Sequence, residues 1–463
     1  MLTVATGLRL AVAASVGFLG GDDVEVLETA FAAATGLDYR PWEIRNLLFP
    51  RLLVAPGLSL AGALGVRDPF WLVRLAAFPF VLLATLSGWL VYRLALRLAG
   101  PRTAVLAAAV FSFHWLVLVY GGTVYPRTVS TACILLAALL VTGARGGFAP
   151  GAGAGALLAL ACADRYSEAV FLAPFLAWSL LRDRQSGVAR LSGAAGLIVG
   201  FAAGSLLTVG LSDLYFWGKP FASLVAFARF TLFERRSSSL VNHQPPLWYL
   251  DRIIVWLPPT LLPFLVQARR RAEILLPGLC FGLPVLLLSL VHHKEMRYLA
   301  GAIPFLAILA AMGAAALWRA GWRRWTVGLL VTSLVLSLNT ARSVLGHRSL
   351  AAVAAARVIR ADPAVRTVAL SQAWQYGHRL FFGNRVAVLD LSTPPREPEI
   401  RTALKTADVV GLYAEDLARS PDLERRLGQA GFVRAGELRA WQSKPVVLFR
   451  RGRPSGDLRR GRG

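Results

Sequence analysis

Stretches of about 20 mainly apolar residues, the length a helix needs to cross a bilayer, recur through roughly the first 345 positions. Only 16% of the 463 residues are charged and 56% are hydrophobic, against roughly 25% and 45–50% in soluble domains. Mean hydropathy is +0.55. The chain therefore reads as a polytopic α-helical membrane protein. Eleven spans are expected, near 3–20, 70–95, 103–120, 128–144, 147–163, 166–182, 189–211, 253–268, 274–291, 298–318 and 325–345. The Leu2–Leu19 segment carries an early Arg9 but no clear small-x-small cleavage site before Gly20, so it reads as a retained first helix.

The net charge of +24 does not mark a nucleic-acid binder. The basic residues are nearly all arginine, the lysines being Lys219, Lys294, Lys405 and Lys444, and they cluster in short hops between apolar stretches and in the final tail. Loops that grip anionic lipid headgroups have this pattern. With the N-terminus cytoplasmic, the inner turns hold Arg97 and Arg102, Arg145, Arg182, Arg184 and Arg190, Arg269, Arg270 and Arg271, and finally Arg319, Arg323 and Arg324. The outer hops are poorer in positive charge, as the positive-inside rule requires. Cys133, Cys162 and Cys280 lie in or beside apolar segments, with no CxxC and no paired histidine. They imply neither a disulfide framework nor a zinc site.

That orientation puts the loops 21–69 and 212–252 and the hop 292–297 on one extracytoplasmic side, with the transmembrane domain ending near 348. From 349 to 450 the character changes. Thr367–Ser371, Arg385–Leu391, Asp408–Tyr413 and Pro445–Phe449 read as strands, with helical stretches at Pro398–Lys405 and Glu415–Gln429, so a small α/β domain is expected on the outer side. Residues 451–463 form a basic tail with the composition of disorder. The sequence shows no internal repeat of the kind that marks many secondary transporters.

The first outer loop opens with Asp22-Asp23 directly after the first span, followed by Glu28, Trp42, Glu43 and Arg45. Acids at that boundary either act on something held at the bilayer surface or simply solvate a loop. Two adjacent acids could also hold a divalent cation, but magnesium or calcium needs several oxygen ligands and no other acid spacing marks itself as part of that set, so no metal is assigned. The hop His292-His293-Lys294-Glu295-Met296-Arg297 places five ionisable groups among six residues between two apolar helices, where charge is costly and usually functional. Lys, Arg and His together suit a phosphate at the interface, and Glu295 is placed to orient one of them. His243, Trp248 and Tyr249 sit in a loop that also fits an interfacial aromatic belt, and Lys219 follows an amphipathic Asp213–Gly218 run.

In order, these segments resemble the GT-C mannosyltransferases that build GPI anchors and N-glycan precursors. That family has an acidic pair early in its first lumenal loop, then a Glu, a Gly, a Thr-Trp-Glu, an Arg-Ser and a Pro. Here the run is Asp22-Asp23, Glu28, Gly36, Pro41-Trp42-Glu43, Arg45-Asn46 and Pro50. Arg127-Thr128 is similar to its Arg-Thr motif, without the Asn and Glu that follow there. Arg165-Tyr166-Ser167 stands where it has Arg-Pro-Thr, and Asp213…Trp217-Gly218-Lys219 where it has Asp…Tyr-Gly-Lys. Pro246-Leu247-Trp248-Tyr249 resembles its Pro-Trp-His-Trp-Tyr, and His293-Lys294-Glu295-Met296-Arg297-Tyr298-Leu299 closely matches its His-Lys-Glu-x-Arg-Phe-Leu. The likeness covers about residues 20–300. The acid-pair spacing to Glu28 is one residue short, so either Asp22 or Asp23 holds the family's catalytic place.

The resemblance implies an inverting transfer of a sugar, mannose first, from a polyprenyl-phosphate donor to a glycan or glycolipid acceptor, with no cofactor. Asp22 or Asp23 would be the base, and His293, Lys294 and Arg297 would hold the donor phosphate, with Arg127 and Arg165 behind them. Glu28 and Glu295 would orient these groups. Trp42, Glu43, Lys219, His243, Trp248 and Tyr249 would meet the sugar or acceptor. Arginine-rich, lysine-poor composition points to a GC-rich bacterial genome, hence to the inner membrane with the site facing outward. The other readings are a lipid-linked-sugar flippase, a non-catalytic scaffold, and a protein O-mannosyltransferase or lipid A aminoarabinose transferase type. The motif order expected of those last two is not seen.

Overall fold

The computed structural model describes residues 1–15, 21–143, 147–181, 187–234, 243–252, 259–268, 272–346, 350–440 and 443–452. Arg145, Arg182, Arg184, Arg269, Arg270, Arg271 and most of the basic tail lie outside the described residues. The chain forms two compact units drawn by packing rather than by chain order. One comprises Met1–Val12, Trp42–Leu53 and Phe78–Ala341, the other Ala13–Pro41, Val54–Ala77 and Arg342–Gly463.

The first unit is helical. Among the described residues of the whole chain, four helical stretches, Pro69–Ala99, Gly187–Trp217, Met296–Arg319 and one beginning at Arg323, are long and apolar enough to cross a membrane by length and composition, and the other apolar helices are shorter. In Ile303–Arg319 every residue from Ile303 to Ala314 is buried, which is where a helix apolar on all sides belongs. The span expected at 103–120 is broken. It forms Pro101–Ser112 and Trp115–Tyr120, because His114 takes an extended backbone and its Nδ1 accepts the Leu116 N–H at 3.3 Å as an N-cap. The span expected at 189–211 runs on through a π-helical turn at Leu206–Gly210 to Trp217. Of 253–268, residues 253–258 lie outside the described residues, and Leu262–Ala268 is helical.

Small residues set one helix contact. The helix Phe148–Asp164 carries Gly151 and Gly155, and Gly187–Ser205 carries Gly196, Gly200 and Gly204. A Cβ on Gly155 would overlap the Leu197 carbonyl, and one on Gly200 the Ala152 carbonyl. The backbones touch, as small-xxx-small helix pairs do where lipid offers no hydrophobic drive for association.

In the second unit, much of the loop expected at 21–69 is helical. Gly21–Thr35 has Asp22 and Asp23 in its first turn, where they complement the positive end of the helix dipole. Ala55–Ala63 follows later in the chain. The C-terminal part opens with the helix Leu350–Ala361 and builds a five-stranded mixed sheet from β1 (Thr367–Ser371), β2 (Ala387–Leu391), β3 (Val409–Tyr413), β4 (Phe432–Leu438) and β5 (Val446–Arg451), in the order β2-β1-β3-β5-β4. β1 pairs in parallel with β2 and β3, while β5 pairs antiparallel with β3 and β4. All five residues of β3 are buried, which explains its unbroken apolar run. The edge strand β4 did not stand out in the sequence. Its charged residues Arg434 and Glu437 and the irregular register between Arg434 and Gly436 blur the alternation. The helix expected at Glu415–Gln429 is two, Ala414–Arg419 and Pro421–Gln429, divided at Ser420-Pro421.

Gly200→Val should lower the thermal midpoint of the detergent-solubilised protein, by overpacking worth about 1–3 kcal/mol or more. Gly282→Ala, where nothing lies within 4 Å of the added methyl, should leave the midpoint unchanged or slightly raised. Equal midpoints for Gly200→Val and the wild type would refute the backbone contact.

Candidate active site

The polar hop of the first unit folds back on itself. A short 3₁₀ run from Met296 to Ala302 follows Glu295, whose backbone is extended. Lys294 is 1% exposed and its Nζ donates to the Gln244 carbonyl at 3.2 Å. Burial lowers its pKa from the ordinary 10.5. Glu295 lies 3.4 Å from His293 Nε2 and accepts from Arg297 Nη2 at 2.9 Å. The backbone here is also held from outside the hop. The Tyr249 hydroxyl donates to the Glu295 carbonyl at 3.1 Å, the Tyr125 hydroxyl donates to the Arg297 carbonyl at 3.1 Å, and the Gln244 N–H donates to the His292 carbonyl at 2.9 Å. Burial pushes the Tyr249 phenol up, so it stays a donor.

Arg127, the first residue of the helix Arg127–Val141, joins this cluster from the other side. Its guanidinium pairs with Glu168, donates to the Ser167 hydroxyl at 2.8 Å, and lies 4.6 Å from the Tyr298 ring centroid. Arg127 and Glu168 are 4% and 2% exposed. Arg165, which caps the helix Phe148–Asp164, is buried as well. Residues 125–128, 165–168, 244–249 and 293–298 thus meet in one unit, and the sequence-selected residues His293, Lys294, Glu295, Arg297, Arg127, Arg165 and Tyr249 are all among them. A small cleft of about 30 Å³ runs beside Arg127, lined by Tyr120, Tyr125, Thr128, Thr131 and Ser87 among apolar side chains.

A second polar knot in the same unit explains other motif positions. Asp213, fully buried, accepts from the Ser223 N–H at 2.8 Å, from the Ser223 hydroxyl at 2.6 Å and from Asn46 Nδ2 at 3.2 Å, while Tyr166 meets Ser223 through its hydroxyl. The Trp217 indole donates to the Arg45 carbonyl at 3.3 Å. Asn46, Tyr166 and Asp213 therefore hold the scaffold together. Around them, Trp42 packs edge-on against Phe230, and Glu43 and Lys219 are exposed. His243 is exposed and stacks on His292, and Trp248 packs edge-on against Tyr249.

Asp22, Asp23 and Glu28 belong to the second unit. Asp23 and Glu28 are buried and Asp22 is half-buried. Glu28 Oε1 lies 2.7 Å from His378 Nδ1 and accepts the Arg379 N–H at 2.9 Å. Among the described residues no group of three or more His, Cys, Asp or Glu side chains gathers to hold a metal.

Sequence reasoning passed over Glu168, Tyr125 and His378, and gave Tyr298 no role beyond its place in the motif. Glu168 did carry a signal, being an acid inside the span expected at 166–182, where a charge is by default functional. His378 carried none, since its partner lies 350 residues away.

The family model for the Alg9-like mannosyltransferase family matches residues 21–368. No curated protein matches the sequence. Among solved structures, ArnT from Cupriavidus metallidurans bound to undecaprenyl phosphate aligns with a TM-score of 0.64 at 13% identity over 96% of each chain. The oligosaccharyltransferase AglB from Archaeoglobus fulgidus, in complex with an inhibitory peptide and a dolichol-phosphate, aligns with a TM-score of 0.52 at 12% identity, over 93% of this chain and 70% of that one. The arabinofuranosyltransferase AftD from Mycobacteria gives 0.57 at 15%, over 98% of this chain and 40% of that one. At these identities the alignments speak for the fold.

A double-mutant cycle tests the Arg127–Glu168 pair. Arg127→Met and Glu168→Gln should each destabilise the protein by about 3–5 kcal/mol, because each leaves a buried charge unpaired. The double variant should recover part of that loss. Additive losses in chemical denaturation would show that the two charges are not coupled.

Proposed function

Because the chain belongs to the Alg9-like mannosyltransferase family, we propose that this integral membrane GT-C glycosyltransferase moves a sugar, mannose first, from a polyprenyl-phosphate donor to a hydroxyl of a glycan or glycolipid on the extracytoplasmic face. The observation that carries the reading is the meeting of Lys294, His293, Arg297, Arg127 and Arg165 in one cluster, with a small cleft beside Arg127. A lipid phosphate leaving a sugar develops charge, and fixed cations in a water-poor site stabilise it as it forms. Lys294 is the first candidate for that task. Its burial strips water from the ammonium, which strengthens its pull on a phosphate. Glu295 holds His293 and Arg297 in place rather than meeting the donor.

In the proposed reaction the acceptor oxygen attacks the anomeric carbon from the face opposite the phosphate. A new C–O bond forms as the bond to the phosphate oxygen breaks, so configuration inverts. Asp22 or Asp23 takes the acceptor's proton, and the electron pair of the broken bond leaves with the lipid phosphate. Trp42, Trp248 and Tyr249 offer ring faces to a sugar, with Glu43, Lys219 and His243 as polar contacts. The AglB and ArnT structures, bound to dolichol-phosphate and undecaprenyl phosphate, support a polyprenyl-phosphate carrier here.

In nanodiscs supplied with radiolabelled polyprenyl-phosphate mannose and a membrane glycolipid extract, the wild type should transfer label. Asp22→Asn/Asp23→Asn should lose about 10²–10⁴-fold in rate while remaining folded, with a small drop in unfolding temperature from the lost helix-dipole charges. Full transfer by that double variant would remove both acids from the base role, and label that crosses the bilayer without bond cleavage would favour a flippase.

Lys294 makes a pH prediction. It holds phosphate only while protonated, and burial lowers its pKa. Donor affinity should therefore fall at a lower pH than the ordinary lysine value of 10.5 would set, and Lys294→Arg, charged throughout, should remove that alkaline limb. An unchanged limb in Lys294→Arg would assign it to another group.

A further inference from the structure

The helix Gly21–Thr35, which bears the acid pair, is gripped by the C-terminal part of its own unit. Glu28 lies five residues beyond Asp23, about 7.5 Å along the axis. Its Oε1 is met twice, by His378 Nδ1 at 2.7 Å and by the Arg379 N–H at 2.9 Å. The carboxylate needs donors, so it selects the imidazole form with a proton on Nδ1.

The backbone that aims these groups is unusual. His378 has φ +41° and ψ −126°, outside the small left-handed α region and rarely adopted by a residue with a Cβ. Such a residue costs on the order of 1–3 kcal/mol and persists only where the surroundings over-determine it. Gly377 precedes it at φ +78°, and a Cβ there would overlap the Phe381 ring. Phe381 is itself stacked on Phe70, with centroids 4.1 Å apart. The chain is thus bent so that a side chain and the following N–H converge on one oxygen of the acid-bearing helix.

A second grip closes on the other end of that helix. Just past it, Gly36, at φ +71°, offers its carbonyl to Asn384 Nδ2 at 3.1 Å. The Asp38 N–H donates to Asn384 Oδ1 at 2.7 Å, and the Arg379 guanidinium donates to the Asp38 carbonyl. One contact inside the helix and one beyond its end fix both its rotation and its axial position. Solvating a loop requires neither.

We infer that His378 is a positioning residue for the transfer: through Glu28 it sets the helix that carries Asp22 and Asp23, and this is a task of the C-terminal domain. The inference rests on the proposed role of those acids. A misplacement of about 1 Å at a reacting group can cost about 100-fold, while the contacts that bind donor and acceptor would be untouched.

The test uses the full chain in nanodiscs and the mannose-transfer assay, with kcat and KM measured for His378→Ala, His378→Asn and His378→Gly and thermal unfolding followed for each. His378→Ala should lower kcat about 10–100-fold with KM within a factor of about two. His378→Asn, whose amide N–H replaces the Nδ1 donor, should regain most of kcat. His378→Gly relieves the backbone but supplies no donor, and should stay slow. Wild-type kcat in His378→Ala overturns the inference. So does an Asn variant as slow as the Ala variant, because both carry a Cβ on the same backbone and differ in the donor. If Asp22→Asn/Asp23→Asn is dead while His378→Ala is fully active, only the positioning role falls. If the Asp double variant is active, the base assignment falls and the positioning role with it.

Discussion

The pairing of Arg127 with Glu168 is the interaction on which the polar cluster depends. Each charge alone would be prohibitive at 4% and 2% exposure among apolar helices. Paired, they tie the start of Arg127–Val141 to the 3₁₀ turn Tyr166–Phe171. The flat guanidinium then offers its face to Tyr298, and two residues before Arg127 the Tyr125 hydroxyl takes the Arg297 carbonyl. The hop 293–298 is held by its backbone, at the Glu295 and Arg297 carbonyls, as well as by its charges.

Around that cluster the bundle solves two problems specific to a chain in lipid. Helices there gain little from apolar contact with one another, so the glycines of Phe148–Asp164 and Gly187–Ser205 bring backbones together and replace hydrophobic drive with close packing. Buried polar groups must also be satisfied within the chain. Asp213 meets that demand with Ser223 and Asn46. Asp213, Asn46 and Tyr166 stand in family-like motifs yet serve as structure, a reminder that a motif's position does not by itself say whether a residue reacts or holds.

The second unit joins segments far apart in sequence. The helix Gly21–Thr35 packs with the segment 377–384, which a mixed sheet with an apolar centre supports. Its strands β1, β2, β3 and β5 were legible because short apolar runs bounded by turn residues have few alternatives. β4 was hidden by its charges and its irregular register. The helix Gly21–Thr35 was hidden for a different reason. Its apolar stripe of Val24, Leu27 and Phe31 shares its buried face with the acids Asp23 and Glu28, which break the helical pattern in the sequence.

From the chain alone came the membrane class, the small C-terminal α/β domain, the family likeness and most members of the cationic cluster. Hydropathy is a property of segments, and charge among apolar stretches is costly enough that each instance is informative. Pairing is not a property of segments. That Arg127 answers to Glu168, that Asp213 closes on Ser223 and Asn46, and that Glu28 is met by a histidine 350 residues later were decided only when the chain packed. A buried charge demands a partner of opposite sign or a hydrogen-bond donor, but any of several residues satisfies that demand equally well on paper. The tertiary structure chooses among them by distance, and distance is what a sequence does not contain.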